Sequence, residues 1–460
     1  MHFGSNFFAF NTFFTSHVQD FRRAAVIETE RQHKKEDNMN KRNLWAAIAL
    51  TMMATTVVTG CSSDSDRQEP TTIIDPVVPP SSFELTRAEQ EMVKESNDFA
   101  FNLFREVQDG VKSQIVSPIS ITYALGMLNN GAAGETQAQI NKVLGFGDTG
   151  ADGINAFCYK MLNVTSTLDP LTKVMIANTI YMNKGYELQT EFVKKANAFY
   201  NAEPETRDFY DGKTRDVINK WGSDHTEGMI KEALKENEFA PNAVSYLLNA
   251  IYFKGSWKKK FDKEQTMKEA FMHAGDTKEM TYADMMHQTT NFEYAETDDC
   301  QALRLPYGNG SFQMTVLLPK GRTNDLPKVP TAEVWQQLSE KMDSMLVDVW
   351  LPRFETDTDM DLNPIMSKLG MPDAFSRLKA DFRNFCNVAV YINLMKQVAK
   401  IKVDEEGTEA AAVTVIGMWE KVSIEPEPQY VAFYANHPFL YVISERKTGA
   451  VLFIGQYTGY

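Results

Sequence analysis

Cysteine and histidine are scarce in this chain: its 460 residues include four cysteines and seven histidines. No Cys-x-x-Cys or His-Glu-x-x-His pattern occurs, so we expect neither a metal site nor a cofactor. After Cys61 only three cysteines remain, an odd number without paired spacing, which argues against a disulfide framework. The Gly-x-Ser-x-Gly nucleophile motif is also absent and no paired-histidine constellation is readable, so the sequence does not predict an enzyme.

Basic residues are outnumbered by acidic ones. The chain has 47 Lys and Arg against 61 Asp and Glu, a net charge of −14, which argues against nucleic acid as a partner. The apolar content of 43% is enough for a full core, and the length allows one large domain or two smaller ones.

The N-terminal region lacks an apolar run long enough to span a bilayer comfortably. Residues 44–58 are apolar, follow a basic start at Lys41 and Arg42, and lead to Val58-Thr59-Gly60-Cys61. This pattern resembles a bacterial lipoprotein signal in which Cys61 carries the lipid. We therefore interpret residues 39–60 as a signal peptide and residues 1–38 as an upstream extension from a misplaced start. The alternative is an uncleaved membrane anchor.

Residues 61–84 are rich in Ser, Asp, Thr and Pro, a composition typical of a flexible tether. Ser62, directly after the lipidated position, is not the Asp that retains lipoproteins in the inner membrane. The sequence thus predicts an outer-membrane lipoprotein, either periplasmic or surface-exposed, with residues 85–460 as the folded domain.

Residues 405–426 combine conflicting local preferences. Thr408 to Ala412 could begin a helix, whereas residues 413–416 form a β-branched run that favours a strand. Laid flat as a strand, Thr408, Ala410 and Ala412 would share one face that is small enough to be buried between strands already packed. Without further information, an Ala-rich loop or short helix is the simpler interpretation.

The segment 405–412, Glu-Glu-Gly-Thr-Glu-Ala-Ala-Ala, is similar to the hinge of the serpins, in particular the inhibitory ones. Further blocks resemble the same family in the correct order, from Leu85 to Gln456. They include residues 117–144, 177–181, 248–257, 305–307, 317–319, 352–354, 437–439 and 451–455. The resemblance implies an α+β serpin fold, with eight or nine helices around three β-sheets and an exposed reactive-centre loop at about 407–428.

The resemblance also implies roles for individual residues at three places around the central sheet. The hinge comprises Glu405, Gly407, Thr408, Glu409, Ala410, Ala411 and Ala412. The breach, at the top of the sheet where insertion begins, comprises Arg353, Trp257 and Glu405. The shutter, a polar cluster beneath the sheet, comprises Ser117, Ser120, Asn249 and Gln397.

Three features depart from the family pattern. Gln397 stands where the family has a shutter histidine, and glutamine does not titrate, so a pH-gated opening is not expected there. Val413 is larger than the residue usual in inhibitors, which predicts slower insertion. The chain between Lys421 and Pro438 is longer than usual, so the spacing from Gly407 leaves the position of the cleaved bond less certain.

The resemblance implies a monomeric, irreversible suicide inhibitor of serine endopeptidases, with cysteine endopeptidases as a further target class. Counting from Gly407 with the spacing usual in the family, the resemblance implies a reactive bond between Lys421 and Val422, and a lysine there suits trypsin-like proteases. The partners would be these proteases and a membrane reached through the lipid on Cys61. The alternative is a non-inhibitory serpin that acts as a binding or carrier protein.

Overall fold

Eight α-helices lie in the residues that the structure, a computed structural model, describes: 83–146, 149–275, 280–408 and 430–459. The described residues belong to one unit, residues 75–460. The helices are Arg87–Val107 (α1), Pro118–Asn129 (α2), Gly134–Val143 (α3), Gly150–Thr165 (α4), Thr190–Tyr200 (α5), Lys213–Asp224 (α6), Ala332–Glu340 (α7) and Asn363–Leu369 (α8).

Fifteen strands accompany these helices in the described ranges. They are Gln114–Val116 (β1), Thr172–Asn183 (β2), Glu203–Arg207 (β3), Ser245–Ser256 (β4), Met267–Met272 (β5), Met280–Glu296 (β6), Cys300–Pro306 (β7), Phe312–Pro319 (β8), Asp343–Pro352 (β9), Phe354–Asp361 (β10), Lys396–Asp404 (β11), Gly407–Thr408 (β12), Val431–Tyr434 (β13), Phe439–Glu445 (β14) and Val451–Tyr457 (β15).

The strands form a six-stranded and a nine-stranded sheet. The six-stranded sheet has the order β10-β11-β12-β4-β2-β3, and the larger one has the order β1-β15-β14-β8-β7-β6-β9-β13, with β5 paired to β6. The fold class predicted from the sequence is confirmed. The predicted second and third sheets are hydrogen bonded to each other here, because the 17-residue strand β6 pairs with β9 along one part and with β7 along its end.

The N-termini of α1 and α2 differ in whether the local sequence predicts the helix cap correctly. At α1 the sequence places Glu89 three residues after Thr86, a spacing that predicts a capping box. The structure confirms it: the Glu89 N–H donates to the Thr86 hydroxyl, and the Thr86 N–H donates to the Glu89 carboxylate. At α2 the sequence Ser117-Pro118 predicts that Ser117 caps the helix, but this prediction is wrong, although Ser117 does occupy the N-cap. Its hydroxyl donates to the Leu452 carbonyl at 2.8 Å, because the helix end is buried against β15.

The main core lies between the two sheets. Phe253 of β4 contacts Phe312 of β8 and Phe453 of β15, with ring centroids 5.9 and 6.3 Å apart. Helix α2 is apolar on all sides and is accordingly buried along its length, as its sequence predicts.

A smaller apolar cluster lies on the other face of the six-stranded sheet. Ile218 of α6 packs there with Tyr181 of β2, Phe209 and Leu234. The sequence also predicts a helix over residues 217–226; it is present as α6, which begins four residues earlier, at Lys213, and covers the outer face of this sheet.

Candidate functional site

The hinge enters the six-stranded sheet as β12. Gly407 and Thr408 pair antiparallel with Asp404 and Val403 of β11 on one side, and with Ser256 and Gly255 of β4 on the other. Glu409, Ala410, Ala411 and Ala412 lie outside the described residues. Two residues of the predicted hinge thus already form the start of a central strand.

Gly407 fits this position because it has no side chain. Its φ is +148°, and a Cβ atom would lie 2.1 Å from the Gly255 carbonyl oxygen and 2.7 Å from the Ser256 Cα atom. Both neighbours are backbone atoms of β4, which cannot move aside without opening the sheet.

Thr408 points into the core, and only 1% of its surface is exposed. Its hydroxyl lies 2.7 Å from the Tyr307 hydroxyl. Burial raises the pKa of Tyr307 well above its usual range, so the phenol stays protonated and can donate. The face that the sequence assigned to Thr408 is the face on which the structure places it.

Trp257 contacts the turn between β11 and β12. Its indole N–H donates to the Asp404 carbonyl at 2.8 Å, and its backbone N–H donates to the Glu406 carbonyl at 2.8 Å. The indole stacks on the Tyr307 ring, with centroids 4.4 Å apart. The structure therefore places Trp257 against the turn and against the phenol that contacts Thr408.

The Glu405 carboxylate, 1% exposed as a side chain, receives two hydrogen bonds from Arg353, one at 2.5 Å and one at 3.2 Å. The Thr266 hydroxyl donates a third at 2.6 Å. Burial acts to raise the pKa of Glu405, but these hydrogen bonds outweigh it, and the pKa lies below its ordinary value of 4.5. Arg353 and Glu405 are thus brought together as the sequence predicts, while Thr266 was missed.

The next carboxylate, Glu406, is held by two lysines that the sequence reasoning also missed. Lys260 and Lys263 lie 2.9 and 3.1 Å from its oxygens. Burial acts to raise the pKa of Glu406, but the two lysines outweigh it and lower this pKa. Glu405 and Glu406 therefore anchor the turn before β12 by ion pairs to two different parts of the chain, the residue between β9 and β10 and the segment after β4.

Below β12 no described strand lies between β4 and β11 of the six-stranded sheet. We call the gap between residues 245–254 of β4 and residues 396–402 of β11 the slot, because in the described chain neither stretch pairs with a strand on the side that faces the other. A cavity of about 370 Å³ adjoins the lower part of the slot. Its lining includes residues 245–250 of β4, residues 396–398 of β11 and, from α6, Trp221 and Gly222.

The four predicted shutter residues meet beneath the slot. Gln397 of β11 accepts from the Ser117 N–H at 2.9 Å and donates to the Ser117 carbonyl at 3.0 Å and to the Ser120 hydroxyl at 3.4 Å. The Ser120 hydroxyl in turn donates to the Asn249 side chain. Ser120 therefore bridges β11 and β4, the two strands that border the slot.

This cluster continues into a buried polar chain that sequence reasoning missed. Asn249 donates to Asn178 at 2.8 Å, and Asn178 donates to the Tyr200 carbonyl at 3.0 Å. The Tyr200 hydroxyl donates to Asn155 at 2.7 Å, which exchanges hydrogen bonds with Asn130. The resemblance around residues 177–181 was the available signal, since Asn178 lies opposite Asn249 in the β2–β4 register.

Several predicted features lie outside the described residues, namely residues 1–82, Lys421, Val422 and the lipidation position Cys61. Cys158, Cys300 and Cys386 are free thiols. Within the described ranges no cluster of three or more metal-ligating side chains occurs. None of the helices in those same ranges combines the length and apolar character of a membrane span.

Replacing Gly407 by alanine should disrupt the top of the sheet. The added methyl group overlaps β4 backbone, so we expect Gly407→Ala to lower the free energy of unfolding by ~1–3 kcal/mol, measured by denaturant unfolding. Gly212→Ala is the matched control, because nothing lies within 4 Å of a Cβ atom there. Equal stability of the two variants would contradict the close approach of β12 to β4.

Removing Arg353 should destabilise the chain in a pH-dependent way. Arg353→Met leaves the buried Glu405 carboxylate with Thr266, at an expected cost of ~1–2 kcal/mol at pH 7, since the guanidinium is 42% exposed. Because the folded pKa of Glu405 lies below its ordinary 4.5, the pair's contribution is complete above pH 4.5 and is lost as the pH falls through the folded pKa. Unfolding should therefore be compared at pH 7 and pH 3.5.

In this comparison the difference between wild type and Arg353→Met should shrink on acidification. Arg383→Met, which removes an exposed partner of Asp381, serves as the control and should have little effect at pH 7. A difference for Arg353→Met that stays constant from pH 7 to pH 3.5 would rule out a role of the ionised Glu405.

Comparison with known proteins agrees with this architecture. The sequence model of the family "Serpin (serine protease inhibitor)" matches residues 94–459. Serpin B6 of Macaca fascicularis is 33% identical over 379 residues, which cover 80% of this chain and 99% of that protein.

The native structure of the thermophilic serpin tengpin superimposes with a TM-score of 0.73 at 26% identity, covering 83% of this chain and 97% of tengpin. Thyroxine-binding globulin in complex with thyroxine, 24% identical with a TM-score of 0.70 over 80% of this chain and 99% of that one, shares the fold. The chain therefore belongs to the serpin family.

Proposed function

We propose that this serpin is an irreversible suicide inhibitor of serine endopeptidases, and of trypsin-like ones first. Membership of the family supports protease inhibition in general. The position of Thr408 supports an inhibitory rather than a non-inhibitory serpin. Thr408 is the first inward-facing residue of β12, and it is buried directly above the slot. A strand that continued from Thr408 would enter the sheet without any change of direction.

The proposed mechanism uses the slot as the destination of the cleaved loop. The target protease attacks the carbonyl of Lys421, forms an acyl-enzyme ester to that carbonyl and releases the new amino terminus at Val422. The loop then inserts with the protease still attached. About fifteen residues at roughly 3.3 Å each would carry the acylated end some 50 Å, to the far end of the sheet.

Insertion is favourable because both borders of the slot carry backbone groups that a new strand would pair. Those groups belong to residues 245–254 of β4 and 396–402 of β11, next to a core that the strand would also cover. Extending the β12 register places residue 414 level with Asn249 and Gln397, the two side chains that Ser120 links. The shutter hydrogen bonds would therefore have to rearrange midway through insertion.

The sequence of the loop supports the choice of targets. Lys421 is the only lysine or arginine between Gly407 and Pro438, so a trypsin-like protease has one site within the loop. Met418, Trp419 and Glu420 offer apolar and acidic alternatives to other serine or cysteine endopeptidases. Cleavage there would shorten the inserted strand by about 3–10 Å.

The test is a denaturing gel after mixing the chain with trypsin, combined with two variants at the hinge. Wild type should give a covalent band of summed mass, and the released peptide should begin at Val422. Thr408→Arg should be cleaved without trapping trypsin, because it would place an unpaired charge in the site that Thr408 occupies beside Tyr307. Thr408→Ser keeps the hydroxyl and should still form the complex.

Each result of this test bears on one part of the proposal. Clean cleavage of the wild type without a covalent band would reject inhibition and favour the binding or carrier protein. An undiminished band for Thr408→Arg would reject insertion through the hinge. A trypsin complex whose released peptide begins elsewhere would reject only Lys421 as the cleaved residue.

We also propose that the inhibitor is a monomer tethered to the bacterial outer membrane by lipid on Cys61, facing either the periplasm or the outside. The signal-like residues 39–60 and the polar segment that follows them support this location. The tether predicted over residues 61–84 would separate the lipid on Cys61 from the folded domain.

Membrane attachment should depend on Cys61. Cys61→Ala should move the protein from the membrane fraction to the soluble fraction when cells are fractionated, because the thiol is the site of lipid attachment. Cys158→Ala, which removes a buried thiol of the folded domain, should stay with the membrane. Retention of Cys61→Ala in the membrane fraction would point instead to an uncleaved apolar segment.

A further inference from the structure

A row of charged side chains crosses the outer face of the six-stranded sheet at the level where the slot begins. Glu355 of β10 lies opposite Lys402 of β11, and Lys173 of β2 lies opposite Lys254 of β4. The slot separates Lys402 from Lys254. Reading across the strands that the structure describes, the row is therefore negative, positive, the slot, positive, positive.

The two lysines at the slot belong to the outer face because the alternate residues of each strand are buried. On β11, Ile401 and Val403 are buried on either side of Lys402, and on β4 the buried Phe253 precedes Lys254. Thr408 faces inward between these strands. The next residue of a continuing strand would consequently face outward, on the side of the lysines.

Other lysines of this face already have acidic partners. Lys396 pairs with Glu238 and Asp359, Lys400 pairs with Glu355, and Lys173 pairs with Glu227. Lys402 and Lys254, by contrast, lie within ion-pair distance of no carboxylate in the described ranges, although Lys254 is near enough to Glu227 to help lower the pKa of that carboxyl. These two positive charges face each other across a gap that is one strand wide, so their surroundings favour a negative charge between them.

The register fixes which residue would enter that gap. Thr408 is level with Val403 and Gly255, so the following residue is level with Lys402 and Lys254. That residue is Glu409, which lies outside the described residues. Glu409 is thus an acidic residue at the level where two lysines face the slot. The next outward position of a continuing strand, level with Lys400 and Tyr252, is Ala411, which has no charge.

We propose that Lys254 and Lys402 are an anion-receiving pair for the Glu409 carboxylate, which they bind in the first step of loop insertion. The inference rests on the proposed inhibitory function and adds residues that determine its efficiency. The pair favours the correct register, since a shift by one residue would turn Glu409 towards the core and leave the lysines without a partner. It also favours insertion over hydrolysis of the acyl-enzyme, because it acts at the start of the movement.

The experiment measures how many molecules of inhibitor are consumed for each molecule of trypsin trapped. Lys402→Met and Lys254→Met should each raise this number about two- to fivefold at low salt, since each removes one attraction that draws the loop in. Raising the salt concentration should reduce the difference from wild type. Lys400→Met is the matched control: it has the same strand, face and residue type, but its partner is Glu355 and its level belongs to Ala411.

Charge reversal provides the decisive comparison. Lys402→Glu should raise consumption more than Lys402→Met, because Glu355 and Glu409 would then flank another acidic side chain. Combining Lys402→Glu with Glu409→Lys should restore trapping towards the wild-type number, whereas Glu409→Lys alone should impair it. Failure of the double variant to improve on both single variants overturns the pairing.

The outcomes distinguish this inference from the function on which it rests. A wild-type chain that traps no trypsin overturns the inhibitory function and the pairing with it. A wild-type chain that traps trypsin normally, with Lys402→Met and Lys254→Met indistinguishable from Lys400→Met, overturns the pairing alone. A loss in Lys400→Met equal to that in Lys402→Met would show a general effect of charge on this face and would likewise overturn it.

Discussion

The spacing of β4 and β11 is the constraint on which the rest of the structure depends. Two residues of β12 fill the gap at its top, and below them the facing borders of both strands are unpaired within the described chain. Backbone N–H and C=O groups at such borders gain hydrogen bonds whenever another strand is supplied. Under the proposed mechanism, loop insertion would give this sheet a lower-energy arrangement, and the surrounding contacts would determine when it is reached.

Those contacts are of two kinds, and each suits its place. At the top, Arg353 and the lysines after β4 bind the charged turn before the hinge, so that β12 starts from a fixed point. Beneath the sheet the contacts are neutral: Gln397, Ser120 and Asn249 join β11 to β4 through hydrogen bonds that can exchange one partner for another. In the proposed mechanism, a fixed entrance and an exchangeable cross-link would together allow β4 and β11 to part without separating the top of the sheet.

The sequence could predict residues whose role is carried by a local motif or by the family resemblance. The fold class, the pair Arg353–Glu405 and the inward face of Thr408 belong to this group. It could not predict Thr266, Lys260 or Tyr307, because their contacts with the hinge join segments more than 100 residues apart and depend on how two sheets meet. The failed cap at Ser117 has the same origin, since a distant β15 carbonyl competes for the hydroxyl that the helix would otherwise use.

The bulk of Val413 can be weighed against the cavity below the slot. Extending the β12 register places residue 413 level with Val398 and Ala250, and both of these line the cavity of about 370 Å³ beneath α6. The α6 residue that borders this cavity beside Trp221 is Gly222, which has no side chain to occupy it. An outward valine would therefore meet this cavity, whose lining includes both apolar and polar residues, and burial of its methyl groups against the apolar ones is favourable. The size of Val413 would therefore mainly raise the barrier to insertion, during which two packed strands must separate. It would affect the free energy of the inserted state much less.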